Sequence, residues 1–267
     1  MRSLEHERSA REMAPTHEQR RIETTGVRAT QTRLRKLFAL GGLAMALMVA
    51  ASLGACTAAT DNGGGPRGTG ASGPTELERA QVKEYQGKDL SSISEFRENS
   101  IKGPQQVDRD SYRLKIGGLV DAEKSLTYEE VLTQNVAYKK VVTLNCVEGW
   151  SVDILWEGVK VADLLDSAGA DPDARVIIFR SVDGYSTSLP ASYIRDNDLL
   201  LAYKMNDVEL PPERGFPFQL VAQDKWGYKW AKWIEEIEVS DDTSFKGYWE
   251  QRGYSNEGDL DQGSRGQ

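Results

Sequence analysis

The stretch Thr143-Leu-Asn-Cys-Val-Glu-Gly-Trp-Ser151 decides how this 267-residue chain is interpreted, because it places a cysteine at a structural junction. The residues "KKVVTLNC" at 139–146 are β-branched in the centre and predict a strand. Cys146 stands where that strand gives way to a turn around Gly149. A lone cysteine is most often a small buried hydrophobic residue, so Cys146 by itself does not define a site.

The segments around this stretch predict a mixture of short strands and short helices. Helical spacing occurs in "SLTYEEVLTQ", which starts with a Ser or Thr cap, and in "VKVADLLDSAG", which ends in glycine. Further strands are predicted at 112–120, 174–190, 198–210, 216–223 and 233–240, with turns at Asp183-Gly184 and Asn206-Asp207. Because no regular βαβ rhythm appears, we predict one α+β domain with mixed or mostly antiparallel sheets and a few short helices.

Residues 1–55 have the layout of an export signal. Three basic residues at 33–36 precede an uncharged run from Leu37 to Ala55, an arrangement typical of secretory signals. The run ends in Leu53-Gly54-Ala55-Cys56, which resembles a bacterial lipobox, so we predict a lipoprotein lipidated at Cys56 on the outer face of the cytoplasmic membrane. A single-pass anchor is the alternative, since a spanning helix needs ~20 apolar residues.

Composition divides the rest of the chain into three parts. Residues 56–103 begin rich in Gly, Ser and Thr and continue polar, so we predict a lipid-anchored tether and a lead-in with a helical turn or two. Residues 104–256 comprise ~150 residues, enough for one core and too few for two ordinary domains. Residues 257–267 are predicted to be a disordered tail.

The charge balance and the histidines exclude several classes of function. The chain has 33 basic and 41 acidic residues, of which residues 1–55 hold nine and five, so 24 basic and 36 acidic residues remain. Such a chain is a poor candidate for nucleic acid, whose affinity for proteins comes from neutralised phosphates. Both histidines, His6 and His17, lie in the signal. Histidine catalysis and histidine-ligated metals are therefore excluded for the mature protein.

Five segments follow one another in the order and spacing of a known family. They are "TLNCVEGWS", "FRSVDGYSTSLP", "LLAYKMNDVELPPERGFPFQLV", "GYKWAKWIEEIEV" and "GYWEQRGYS". This order resembles the sulfite-oxidase-type molybdopterin domain, and the resemblance covers about residues 97–256. It implies a molybdopterin-dependent oxidoreductase, closer to the branch that reduces sulfoxides.

The resemblance implies that Cys146 is a metal ligand. In this family a molybdenum ion is held by the dithiolene of one molybdopterin and by a single cysteine thiolate, and Cys146 occupies that position. A thiolate is a soft ligand that suits such a metal, and lipidation of Cys56 would leave one cysteine for it. Ligand softness does not distinguish molybdenum from tungsten.

The resemblance also implies contacts to the pterin and its phosphate, which needs cations and amide donors at a turn. Lys229 and Lys232 flank a predicted turn, and Lys232 matches the family's phosphate-binding lysine; a solvated charge run is the alternative. Ser181 matches a residue that contacts the pterin in relatives. Arg97 and Asn99, in "EFRENS", resemble upstream pterin contacts.

Two aromatic residues are candidates for catalytic roles at the entrance. Tyr203 aligns with a tyrosine that projects towards the metal in sulfite oxidases, where a phenol can donate a hydrogen bond; a core aromatic is the alternative. Trp150 follows the cysteine in "CVEGW". Sulfite oxidases have arginines after their cysteine, whereas this chain has Glu148, and a carboxylate repels the sulfite dianion. A neutral sulfoxide is therefore the favoured substrate.

Two departures from the family pattern keep a second hypothesis open. Gln219 stands where an arginine is usual, and Arg214, which replaces a His or Asn, is expected to supply the missing charge from another direction. Relatives loaded with molybdopterin generally use twin-arginine export, and Arg20-Arg21 lies too far from the apolar run to match that signal. The alternative function is a cofactor-free binding or scaffold lipoprotein with a degenerate molybdopterin fold.

The leading prediction is two-electron oxygen-atom transfer outside the cytoplasm, with sulfoxide reduction favoured over sulfite oxidation. The expected substrate is a small-molecule or protein sulfoxide. Because no haem segment accompanies the domain, a separate membrane-associated electron-transfer protein is expected as a partner. Because no second, dimerising domain follows residue 256, a monomer is expected.

Overall fold

The computed structural model describes residues 76–266, which contain a large hydrophobic core. The α-helices of this part are α1 (Glu76–Ala80), α2 (Tyr128–Gln134), α3 (Val161–Ser167) and α4 (Ala191–Asp196). The strands are β1 (Glu84–Tyr85), β2 (Lys88–Asp89), β3 (Leu114–Gly118), β4 (Lys124–Leu126), β5 (Ala137–Asn145), β6 (Ser151–Lys160), β7 (Val176–Ser181), β8 (Ser186–Pro190), β9 (Leu200–Met205), β10 (Val208–Glu209), β11 (Gln219–Val221) and β12 (Ile234–Ser240).

The first sheet is antiparallel and is built on the β5–β6 hairpin. These strands pair over their whole length, from Ala137 opposite Val159 to Asn145 opposite Ser151. The sheet order is β10-β9-β6-β5, and β11 also pairs with β9. Because Cys146 follows directly after β5, this long ladder fixes the position of the cysteine in the molecule.

The second sheet has the order β4-β3-β12-β7-β8. β12 runs parallel to β3, and the other neighbouring strands of this sheet are antiparallel. β7 and β8 form the hairpin predicted around Asp183-Gly184, with Val176 opposite Pro190. β1 and β2 form a separate antiparallel pair. These sheets and the short helices confirm the predicted α+β class with mostly antiparallel sheets.

Helix α2 begins where the cap residues of the sequence predict. Thr127 accepts a hydrogen bond from the Glu130 N–H at 3.1 Å, and the Glu130 carboxylate accepts one from the Thr127 N–H at 2.8 Å. A side-chain cap of this kind contributes ~1 kcal/mol to stability. The helix packs onto the core through Tyr128 and Val131, which are buried.

The folded body reaches upstream of residue 104, where the sequence predicted it to start. α1 provides the predicted helical turn. Ile93 is buried in the core, and the Val82 N–H donates to the Asn206 carbonyl at 3.0 Å. Asn206 in turn donates from its side chain to the Ser91 carbonyl at 2.9 Å. The polar lead-in is therefore attached to the first sheet by hydrogen bonds that composition does not reveal.

The prediction of a disordered tail is wrong for residues 257–266. The Trp226 N–H donates to the Gly258 carbonyl at 2.8 Å, and the Leu260 N–H donates to the Asp224 carbonyl at 3.1 Å. Lys225, which is buried, forms an ion pair with Asp259. Backbone hydrogen bonds and one ion pair hold this segment. Because composition does not reveal contacts of this kind, the polar sequence did not indicate that the segment is packed.

Within residues 76–266, no helix is long and apolar enough to cross a bilayer. The predicted signal, the lipidation site Cys56 and most of the tether lie outside the described residues. Export and lipidation therefore stay predictions.

Candidate active site

Cys146 lies in the turn between β5 and β6. Its N–H donates to the Trp150 carbonyl at 2.9 Å, and its carbonyl accepts from the Gly149 N–H at 3.0 Å. Gly149 has φ +90°, a conformation that residues with a side chain rarely adopt. Glycine is therefore needed at position 149 for the turn that holds the cysteine.

A cavity of ≈ 440 Å³ lies beside Cys146. Ligand sites in proteins typically measure ~300–1,000 Å³. Its aromatic lining consists of Phe96, Trp150, Tyr185, Tyr228, Trp230, Trp233, Trp249 and Tyr254. These rings come from segments far apart in the chain, and aromatic walls of this kind suit a flat heterocycle.

The sulfur of Cys146 receives several N–H groups. The side-chain amide of Asn99 lies 3.7 Å from Sγ, and the backbone N–H groups of Val147 and Glu148 contribute to lowering the pKa of the thiol. Burial raises the pKa of the Cys146 thiol, the charge of Glu148 adds to that effect, and the N–H donors oppose it. Donors gathered around a sulfur favour its thiolate form, which is the form that binds a metal.

Glu148 is the carboxylate nearest in sequence to the sulfur, and its position is fixed. Glu148 Oε2 accepts from the Trp150 indole N–H at 3.2 Å and from the Asn99 amide at 3.5 Å. The Arg97 guanidinium lies 3.6 Å from the same oxygen. The hydrogen bonds from Trp150 and Asn99, together with Arg97, lower the pKa of Glu148. Glu148 is therefore ionised beside Cys146, with Arg97 as its ion-pair partner.

Lys232 provides a cation in the cavity wall. Its Nζ lies 2.5 Å from Glu98 Oε1 and 3.5 Å from the Glu213 carbonyl. Burial lowers the pKa of Lys232, although Glu98 opposes this shift. A bound phosphate would stabilise the charged lysine further. Gln219, in the place where the family usually has an arginine, also lines the cavity and is buried.

Arg214 lines the cavity, but its N–H groups are directed largely at the protein backbone. Nε, Nη1 and Nη2 donate to the carbonyls of Ile93, Arg97 and Phe96 at 3.0, 3.2 and 2.6 Å. Burial lowers the pKa of the guanidinium, opposed by Glu98 and Glu213. The expectation that Arg214 supplies the missing phosphate charge is therefore only weakly supported by its geometry.

Three of the residues proposed from the sequence do not line the cavity. Lys229 is fully buried and binds Glu250 Oε1 at 2.7 Å and the Asn256 carbonyl at 2.8 Å. It follows Tyr228, which does line the cavity, so the backbone turn directs neighbouring side chains in different directions. The structure thus contradicts a direct phosphate contact from the Lys229 ammonium.

Tyr203 is the second of these residues. Its hydroxyl donates to Glu157 Oε1 at 2.9 Å, and Glu157 also pairs with Lys139 and Lys204. Burial, followed by Glu157, raises the pKa of the Tyr203 phenol. Tyr203 lies in the middle of β9, and its side chain belongs to this buried network rather than to the cavity. It is the core aromatic residue that the sequence left as the alternative.

Ser181, the third of these residues, ends β7 two positions before the cavity residue Asp183 and does not itself line the cavity. The serine is 2% exposed, and its Oγ has no hydrogen-bond partner within residues 76–266. A buried hydroxyl without a partner is unfavourable unless a ligand or water satisfies it. This observation supports Ser181 as a candidate contact of the cofactor.

The sequence missed most of the aromatic wall. Tyr185 and Tyr228 stand inside segments that carried the family resemblance, and Trp249 and Tyr254 stand in "GYWEQRGYS". The Tyr185 hydroxyl donates to the Tyr228 carbonyl, which joins two parts of that wall. The aromatic-rich segments were a signal that a flat ligand is enclosed, but sequence alone did not show which rings face inward.

The described residues fit a molybdopterin. Cys146 offers a sulfur with N–H donors, the cavity has the volume of a ligand site, and Lys232 offers a cation for a phosphate. The hydroxyl of Ser181 lacks a partner that a ligand would supply. The electrostatic fit is weakest at Gln219, which has no charge.

Comparison with known proteins shows to which protein family the chain belongs. Residues 101–249 match the family "Oxidoreductase molybdopterin binding domain". This match spans more than half of the chain, so the protein belongs to that family and is a molybdopterin-binding oxidoreductase. The resemblance drawn from the five sequence segments is thereby confirmed, and so is the predicted molybdopterin cofactor.

Two relatives and one solved structure illustrate the family. The uncharacterized oxidoreductase YuiH of Bacillus subtilis (strain 168) is 34% identical over 163 residues, 61% of this chain and 81% of that protein. The protein-methionine-sulfoxide reductase catalytic subunit MsrP of Gluconobacter oxydans (strain 621H) is 31% identical over 147 residues, 49% of this chain and 47% of the relative. The sulfane dehydrogenase SoxCD from Paracoccus pantotrophus has a TM-score of 0.51 at 23% identity, covering 57% of this chain and 42% of the other, and supports the fold alone.

Proposed function

We propose that this protein transfers an oxygen atom in a two-electron reaction outside the cytoplasm, with sulfoxide reduction as its direction. The observation that carries the proposal is the buried sulfur of Cys146, held by N–H donors against a cavity lined with aromatic rings. In the balanced reaction a sulfoxide, two electrons and two protons give a sulfide and water. When bound, molybdenum and molybdopterin supply the two-electron chemistry.

The residues of the chain have distinct proposed tasks. Cys146 holds the metal through its thiolate, and the hydrogen bonds from Asn99 and the turn backbone fix that sulfur. Lys232, in the cavity wall, would neutralise the pterin phosphate, and the unpartnered hydroxyl of Ser181 would be available to the pterin. The aromatic walls exclude water from the reacting atoms.

Glu148 supports a neutral substrate. Its carboxylate stays ionised because Trp150, Asn99 and Arg97 stabilise the charge. Like charges repel, so the carboxylate disfavours a sulfite dianion beside Cys146, although Arg97 reduces this effect. A sulfoxide has no net charge and avoids this cost. The similarity to a relative named as a protein-methionine-sulfoxide reductase agrees with this preference.

A substrate comparison tests the direction and class of the reaction. The enzyme is purified from its own host, and methionine sulfoxide is offered with a reduced dye, sulfite with an oxidised dye. The expected result is a kcat/KM for sulfoxide reduction at least tenfold above that for sulfite oxidation. A loaded enzyme that oxidises sulfite and leaves sulfoxides unchanged would refute the proposed direction.

The proposed location is the outer face of the cytoplasmic membrane, where a membrane-associated protein donates the electrons. The support is the charged-then-apolar layout of residues 1–55 and the motif that ends at Cys56. In the native host, Cys56→Ser should lose the lipid mass on the protein. A wild-type protein found without lipid, in the cytoplasm, would contradict this location.

A further inference from the structure

Arg214 is a buried cation with an unusual set of partners. Its three nitrogens donate to three backbone carbonyls, those of Ile93, Phe96 and Arg97. The guanidinium carbon also lies 3.8 Å from the centre of the Phe96 ring. Arg214 has no ion pair with a carboxylate within residues 76–266 under a 4.0 Å limit. The side chain is therefore committed to one short segment of the chain.

The segment bound by Arg214 leads directly into a wall of the cavity. Residues 96–101 line the cavity, and Asn99 donates to Cys146 Sγ at 3.7 Å and to Glu148 Oε2 at 3.5 Å. Upstream, the Ile93 N–H is held by the Gln81 side chain at 3.0 Å. The carbonyl groups of this segment are oriented by the guanidinium.

We propose that Arg214 is a positioning residue, which clamps the backbone at Ile93, Phe96 and Arg97 and thereby places Asn99 against Cys146. The catalytic role of Cys146 rests on the proposed function. The role of Arg214 in holding the backbone does not. A planar guanidinium presents several N–H groups in a fixed fork, and an ammonium does not. The geometry of the fork, rather than the positive charge, is what the clamp requires.

The alternative role for Arg214 is direct binding of the pterin phosphate. The two roles make opposite predictions for lysine at this position. An ammonium binds phosphate as a point charge, so Arg214→Lys would retain cofactor binding if Arg214 were a phosphate ligand. If Arg214 is a clamp, the lysine of Arg214→Lys cannot replace most of the three hydrogen bonds to the carbonyl groups.

Hydrogen exchange of the cofactor-free full chain tests the clamp. The structure shows the amides of Ser91, Ile93 and Glu95 in hydrogen bonds. Arg214→Lys, and Arg214→Met if it folds, should accelerate exchange of these amides at least tenfold. Arg180→Lys is the matched control, because it makes the same substitution at an arginine that pairs with Glu238 in the second sheet. That variant should leave residues 91–95 protected.

A double-variant cycle tests whether Arg214 acts through Asn99. The rate of alkylation of Cys146 at one fixed pH is measured by mass spectrometry of its peptide, again without cofactor. Arg214→Lys and Asn99→Ala should each change the rate at least threefold and in the same direction. The double variant should differ from the singles by less than twofold, because both changes remove the same contact.

Two results would overturn the proposal. Unchanged exchange at residues 91–95 in Arg214→Lys, with cofactor content retained in that variant and reduced in Arg214→Met, would identify Arg214 as a phosphate ligand. Multiplied effects in the double variant would show that Arg214 and Asn99 act independently. Failure of the proposed function would appear elsewhere, as a lack of molybdenum in the wild-type protein with the exchange results intact.

Discussion

At the scale of single residues, Glu148 sets the charge that a substrate meets beside Cys146. Its carboxylate is held by Trp150 and Asn99, so the negative charge has a fixed position. The sequence already indicated this charge, since Glu148 is two residues from the cysteine.

Replacing Glu148 tests the role of that charge. Glu148→Gln should lower the KM for sulfite roughly two- to fivefold, because one repulsive charge is removed and water and Arg97 already weaken its effect. The KM for methionine sulfoxide should change much less. Steady-state kinetics on both substrates provides the measurement, and Glu148→Asp, which keeps the charge, is the control. An equal change for both substrates would argue against charge selection.

Three of the site residues that were predictable stand in or next to a turn with a distinctive local motif. Cys146 and Trp150 are in "CVEGW", and Lys232 follows a tight turn; all three line the cavity. Lys229 and Tyr203 were misplaced because sequence order does not reveal the direction of a side chain. Each of these two found a buried carboxylate as its partner.

At the scale of secondary structure, the hairpin of β5 and β6 determines where the site lies. The sequence predicted β5 from its β-branched centre but not β6, in which Asp153 and Glu157 interrupt the apolar pattern. Glu157 is tolerated there because Tyr203, Lys204 and Lys139 bind it. Charged residues that find partners only after folding conceal a strand from pattern analysis.

A glycine in β6 tests how closely the strands of the first sheet approach. A Cβ at Gly158 would lie 2.4 Å from the Leu201 carbonyl oxygen and 2.7 Å from the Ala202 Cα. Gly158→Ala should therefore destabilise the protein by about 1–3 kcal/mol through overpacking. Urea unfolding measures the change. Gly117→Ala in β3 is the control, since the nearest atom to its Cβ would lie at an ordinary 3.4 Å. Equal effects of both substitutions would contradict this account.

At the scale of the whole molecule, a segment near each end of the described chain contributes to the cavity wall: residues 96–101 upstream, and Trp249 and Tyr254 downstream. The upstream segment is held by Arg214, and the downstream segment that carries Trp249 and Tyr254 is held by the buried pair Lys229–Glu250. Thr187 also donates to Glu250 Oε1 at 2.7 Å. The domain class was predictable from strand and helix patterns, whereas the attachment of both ends depends on single buried contacts that patterns do not show.

The buried pair provides a prediction about global stability. Lys229→Met should cost ~3–5 kcal/mol, because it leaves the charge of Glu250 buried without its partner. Lys229→Met combined with Glu250→Gln should recover at least half of that loss. Urea unfolding of the two variants and the wild type gives the free energies. A single variant as stable as the wild type would show that the pair does not secure the downstream wall.

The central claim is that Cys146 binds a metal held by molybdopterin, and its most direct test is the content of metal and pterin per protein. The measurement uses protein from its own host, wild type and Cys146→Ser, with unfolding data to show that both are folded. The account predicts about one molybdenum, or tungsten, and one pterin per wild-type chain, and loss of activity with a lowered metal content in Cys146→Ser. A wild-type protein without metal or pterin, from a host that loads other molybdopterin enzymes, would contradict the claim and favour a cofactor-free binding protein.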